Sequence, residues 1–137
     1  MRAESRHFRY VLRAVIVALY VLILDGIWLV SRRAMYKSMI RNIQHRPLVV
    51  HKGWAAVAYA LMIAGILFIS GPQANHDLTR AAFYGFFLGM LTYGIYNATN
   101  AATLRAYDRR VAFLDTLWGA VLFSSATVLY VLAERLF

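Results

Sequence analysis

Four long apolar runs leave this chain few folding options. They are Tyr10–Val30, whose centre Ala14–Leu24 carries no charge, Gly53–Ser70, uncharged throughout, Ala81–Leu104, uncharged but polar after Thr92, and Val111–Ala133, whose single charge is Asp115. Each is near the length of about 20 helical residues that a hydrocarbon core of about 30 Å demands. Backbone groups in lipid must be bonded internally, so such runs are helices, and none alternates with the period of two that a barrel strand needs. Of the 137 residues 61% are hydrophobic and 15% charged, against about 25% charged in a soluble domain. A domain this small cannot hide that much apolar surface in its own core, and a disordered chain would not carry it. The expected fold class is all-α: a four-helix transmembrane bundle forming one integral membrane domain over 1–137, with spans at about 10–31, 52–70, 80–104 and 111–134. The absence of cysteine excludes disulfides, thiolate metal sites and a cysteine nucleophile.

The connections are informative. Arg2, Arg6 and Arg9 ahead of an apolar stretch resemble a signal peptide, but no small-residue cleavage site follows, and Asp25 and Trp28 read as retained structure. Between spans one and two, Met35, Tyr36, Met39, Ile40 and Ile43 fall at three- and four-residue steps, the pattern of a short amphipathic interfacial helix that Pro47 ends. The turn Gly71–Thr79 is polar, with Asp77 or Thr79 placed to cap the third span. With four spans both termini share one side. The loops between spans one and two and between spans three and four hold nine of the fifteen basic residues, and the opposite side holds six, which favours cytoplasmic placement of those two loops by a narrow margin. The net charge of +9 therefore reads as topology and lipid-headgroup contact, not nucleic-acid binding.

One motif occurs twice. Leu24-Asp25-Gly26-Ile27-Trp28 lies near the end of the first span, and Leu114-Asp115-Thr116-Leu117-Trp118 near the start of the fourth. In each copy Asp and Trp share a helix face. The topology brings both aspartates to one depth, about one to two helical turns in at 1.5 Å per residue. The polar end of the third span, with Tyr93, Tyr96, Asn97 and Asn100, reaches the same level, as does Trp54. The expected site is a polar pocket in one leaflet built from Asp25, Trp28, Tyr93, Tyr96, Asn97, Asn100, Asp115 and Trp118, under a basic rim of Arg32, Arg33 and Arg105. An acid at membrane depth must be paired, hydrogen-bonded or protonated, and points to function by default. The structural alternative is that these groups only lock helices together, at about 0.6 kcal/mol per bond, with the tryptophans as interface anchors. Gly85 and Gly89, like Ala56, Ala60 and Ala64, form small-residue steps, read as packing of spans two and three or as a homodimer seam through Gly85 and Gly89. Arg13 is expected to snorkel. The four histidines show no metal spacing, and no motif calls for a cofactor.

Leu24-Asp25-x-x-Trp28, Tyr36 after a basic pair, Tyr93-Gly94-x-Tyr96-Asn97-x-Thr99-Asn100-x-Ala102-Thr103-Leu104 and Asp115-x-x-Trp118-Gly119 resemble, in order and at compatible spacing, the small predicted membrane proteins of domain of unknown function 2177. The resemblance implies four transmembrane helices and an inner-membrane location, mainly in bacteria, and no established activity. In that family the position of Asn97 is often Asp, so this chain lacks one acid. Members are often encoded near fatty-acid-modifying enzymes, which associates them with lipid. Three functions follow as expectations: a lipid- or fatty-acyl-handling membrane protein with membrane lipids as partners, a small proton- or cation-coupled transporter working through Asp25 or Asp115, and a structural accessory subunit. Whether the chain is an enzyme is left open by its residues.

Overall fold

The computed structural model describes residues 2–136, with side chains from Arg6 onward. Helical segments follow one another as α1 (Arg2–Ser31), α2 (Arg33–Gln44), α3 (Lys52–Gly65), α4 (Gly71–Gln73), α5 (Leu78–Thr103) and α6 (Arg109–Leu136). A π-helical turn, Ile66–Ser70, carries α3 into α4 without a break. No strand occurs among the described residues. Three helices are long and apolar enough to cross a membrane: Arg6–Ser31, Lys52–Gln73 and Arg109–Leu136. The third expected span, α5, has the length with 26 residues, but Tyr93, Tyr96, Asn97, Thr99 and Asn100 dilute its hydropathy, so it does not join the three on composition.

The bundle is organised around α6. Half of its apolar window (50%) is buried, against 17% for α1 and for the Lys52–Gln73 rod. Helix α5 lies antiparallel along it: Ser124 donates to the Ala82 carbonyl at one end and Asn97 reaches Asp115 at the other. On another side α1 is also antiparallel, with Arg13 meeting Glu134 and Asp25 meeting Trp118. The Lys52–Gln73 rod runs parallel to α6, since Tyr59 sits at the level of Asp25 and Ser70 shares a 2.8 Å hydroxyl bond with Thr127. Val17, Val21, Ile66, Leu67, Leu122, Phe123, Ala126 and Val131 fill the space between. Outward-facing Leu19, Ile23, Ile27, Leu61, Phe68, Phe83 and Phe87 are exposed, as a hydrocarbon-facing surface should be.

The small-residue steps serve a different contact from the one expected. Gly85 and Gly89 are buried against α6, not against α3: a Cβ on Gly89 would stand 2.2 Å from the Gly119 carbonyl oxygen, and one on Gly85 would stand 2.4 Å from that of Phe123. The stripe thus seats α5 on α6 within the chain. Ala56 and Ala60 face outward.

Helix α2 forms where the amphipathic pattern places it, but it stops before Pro47. His45 takes the left-handed conformation (φ 55°) and donates its N–H to the Arg41 carbonyl, a C-cap usually left to Gly or Asn. At the far end of the bundle Asp77 caps α5 by accepting from the Arg80 N–H at 2.7 Å. Arg13 does not snorkel freely. It pairs with Glu134 at 2.6 Å, which also meets His76 Nδ1 at 2.9 Å, and its guanidinium lies over the Tyr130 ring.

Candidate functional site

The two copies of the Asp-x-x-Trp motif meet. The indoles of Trp28 and Trp118 stack with centroids 4.7 Å apart and planes 3° from parallel. Each tryptophan serves the other copy's carboxylate. Trp118 Nε1 donates to Asp25 Oδ1 at 2.9 Å. Trp28 Nε1 donates to the Tyr36 hydroxyl at 2.9 Å, and Tyr36 passes its own proton bond to Asp115 Oδ1 at 2.5 Å. An indole N–H can only donate, so the direction of that relay is fixed. Because α1 and α6 are antiparallel, the arrangement approximates a two-fold exchange, with Tyr36 filling the longer arm.

The remaining carboxylate oxygens are also used. Tyr59 donates to Asp25 Oδ2 at 2.7 Å, and Asn97 Nδ2 to Asp115 Oδ2 at 2.9 Å. Asn97 is saturated: Nδ2 also donates to the Tyr93 carbonyl at 2.9 Å, and Oδ1 accepts from the Tyr107 hydroxyl at 2.7 Å. Both aspartates are buried, 6% and 8% exposed, and Asn97 is 2% exposed. Among the described residues no basic side chain lies within ion-pair distance of either carboxylate. Their burial is compensated by neutral donors, as buried polar groups require. An aspartate in place of Asn97 would aim a carboxylate at both Asp115 and the Tyr93 carbonyl. The amide is what makes this site, with its two carboxylates, self-consistent.

Of the expected site residues, Asp25, Trp28, Asn97, Asp115 and Trp118 come together. Tyr93 contributes its carbonyl, while its ring packs edge-on to Phe123 and its hydroxyl reaches Met62. Asn100 is partly buried beside Tyr107. Tyr96, 61% exposed, and Trp54, 76% exposed, point outward and stay out of the cluster. Of the rim, Arg32 lies over the Trp28 ring at 5.1 Å and Arg33 is exposed. Tyr59 and Tyr107 belong to the network without having been singled out. Tyr107 carried a readable signal, a tyrosine in a short charged turn between two spans, whereas Tyr59 has nothing in its own sequence to set it apart.

Beside the network, Met35, Ser38, Met39 and Asn42 of α2 face residues 105–108 across an open cleft of about 390 Å³. Both walls are tied to one carboxylate. The α2 wall is held through Tyr36 to Asp115 Oδ1, and the wall of the turn through Tyr107 and Asn97 to Asp115 Oδ2. The position of Asp115 therefore governs how far apart the walls stand.

Burial pushes the phenol of Tyr107 up to about 12, helped by nearby Tyr96 and Asp115 and opposed by Asn100. Tyr36 is raised further, by burial and by its bond to Asp115. The folded chain thus holds these protons more tightly than the unfolded chain, whose tyrosines titrate near 10.0. Their contribution to stability is complete below that pH and is lost as pH climbs through the folded values. Thermal melts in a pH series should show stability falling from about pH 10 upward, with a shallower fall in Tyr107→Phe; identical slopes would contradict the burial of the Tyr107 phenol.

No curated protein and no solved structure matches the chain. A family model does: with its apolar spans and the paired Asp-x-x-Trp motifs inside the matched region, residues 10–132, the chain belongs to the predicted membrane protein family DUF2177.

Proposed function

We propose that this membrane protein forms one integral domain that crosses the bacterial inner membrane four times, with α5 as the third span, and handles an amphipathic lipid or fatty-acyl ligand at its basic end. The observation that carries this is the cleft between α2 and the 105–108 turn. It has methionine and polar side chains on one wall and Arg105 on the other, and it lies directly over the buried Asp115 network. Its volume of about 390 Å³ falls within the range of about 300–1,000 Å³ usual for ligand sites. Methionine walls accommodate variable acyl shapes because the side chain is flexible and polarisable. The four-span reading rests on α5 having a full span's length and lying antiparallel to α6 along most of that length.

Ala106→Trp tests the reading, since Ala106 is exposed and lines the cleft. An indole there is expected to remove co-purifying lipid while the melting temperature stays within a degree or two of the parent. Unchanged lipid content would overturn it. One observation favours a second reading, an accessory subunit held rigid by its polar network: every carboxylate oxygen of Asp25 and Asp115 already has a protein donor. On that reading Ala106→Trp changes nothing but association with a partner.

A further inference from the structure

Helix α2 presents three different faces. Tyr36, Met39, Ile40 and Ile43 turn inward, with Met39 buried and Tyr36 bonded to Asp115. Met35, Ser38, Met39 and Asn42 line the cleft. Arg33, Lys37 and Arg41 recur at four-residue steps and make the third face. At 3.6 residues per turn, the middle of this basic stripe stands about 150° around the helix from the middle of the cleft lining. The stripe therefore serves neither the cleft nor the seat of the helix. All three cations are exposed, and among the described residues none lies within ion-pair distance of an acidic side chain. From Gly26 to His76 the chain holds six Lys and Arg residues and no Asp or Glu, so the surrounding sequence offers them no acid. Setting the orientation of the chain needs only a number of cations in a loop. It does not need three of them gathered on one face of a helix. Directly after α2 the chain exposes Leu48, Val49 and Val50, and then Trp54. An acidic protein partner would satisfy the cations and leave these apolar side chains uncovered. A charged bilayer interface satisfies both, with cations among headgroups and apolar residues below them.

We infer that the outer face of α2, through Arg33, Lys37 and Arg41, docks on an anionic phospholipid surface, with the apolar residues that follow embedded beneath the headgroups. This contact does not depend on what the cleft takes. Because α2 is also one wall of the cleft, the membrane holds that wall from its far side while Tyr36 holds it from within.

The test follows hydrogen–deuterium exchange of α2 in the full chain, reconstituted into nanodiscs of phosphatidylcholine alone or with about a third phosphatidylglycerol to give an anionic surface. Exchange is expected to slow by at least about tenfold in the anionic discs, since each cation near such a surface contributes up to about fivefold. Salt at about 0.5 M should remove most of that difference by screening, an arm that needs no variant. Arg33→Gln/Lys37→Gln/Arg41→Gln should exchange alike in both discs. A matched variant, Arg46→Gln/Lys52→Gln/Arg109→Gln, loses the same charge outside α2 and should keep the slowing. Equal exchange of the parent chain in the two discs overturns the inference, as does slowing that resists salt or survives in the first variant. Equal loss of the slowing in both variants overturns it too, because net charge would then suffice. The lipid content of Ala106→Trp is a separate result, so failure here leaves the reading of the cleft intact.

Discussion

Replacing Asp115 with alanine should cost more stability than any other single change in the polar network. The substitution strands the Tyr36 hydroxyl and one Asn97 N–H in a buried site. Interhelical hydrogen bonds in bilayers average about 0.6 kcal/mol and reach about 1.7, while a buried donor left without a partner costs about 1–3. Together these give an expected loss of about 3 kcal/mol. Asp115→Asn keeps the shape and one acceptor, and should lose about 1 kcal/mol, because the new amide can satisfy Asn97 or Tyr36 but not both as donors. Unfolding in mixed micelles followed by circular dichroism measures both. The ordering matters more than the sizes. Equal losses would mean that shape, not hydrogen bonding, sets the contribution of this position. Because both cleft walls are tied to Asp115, Asp115→Ala should also abolish lipid retention at temperatures where the fold persists.

Gly119→Val should be at least as damaging, for a reason with no polar component. A Cβ at this position would stand 2.1 Å from Cγ of Tyr93. Tyr93 has nowhere to go: its ring is held edge-on by Phe123 with centroids 6.2 Å apart, and its hydroxyl rests against Met62. Overpacking of this kind costs about 1–3 kcal/mol and sometimes more, and here the backbone of α5 must move as well, so a loss of about 3 kcal/mol or greater is expected. Gly26→Ala is the contrast. Nothing lies within 4 Å of a Cβ there, and the gain in helix propensity, up to about 1 kcal/mol, should leave it neutral or slightly stabilised. Melting temperatures of the two variants in the same detergent decide the matter. A Gly119 variant as stable as Gly26→Ala would show that α5 does not seat on α6 through this contact.

Much of this arrangement is legible in the sequence. Helix period, span length and the alternation of direction are enough to bring Asp25, Asp115 and Asn97 to one depth, because those follow from counting along rods of fixed rise. What counting cannot supply is rotation about each rod. Tyr96 and Trp54 sit at the right depth and face outward, while Tyr59, in an otherwise featureless run, faces Asp25. The same limit explains the glycines. Gly85 and Gly89 announce close packing, but the choice of α6 over α3 as partner depends on which neighbour presents Gly119 and which presents bulk. Tyr36 stood out on an amphipathic stripe, yet its bond to Asp115, 79 residues away, depends on how α2 turns back over the bundle after Arg32. Hydropathy sets α5 apart from the three apolar helices, since the residues that serve the site are those that lower its apolar score.

Stacked indoles and crossed donors from the two motif copies are the core of this structure, and the indole protons report on them directly. The chain has three tryptophans, so a nitrogen-edited proton spectrum of the detergent-solubilised protein has three indole signals to follow in deuterium oxide. Trp28 and Trp118, bonded to Tyr36 and Asp25, should exchange slowly, and exposed Trp54 fast. Asp25→Ala should speed and shift Trp118 alone, and Tyr36→Phe should do the same to Trp28 alone. Three indoles exchanging alike, or an Asp25→Ala spectrum in which Trp118 keeps its place and rate, would contradict the crossed arrangement.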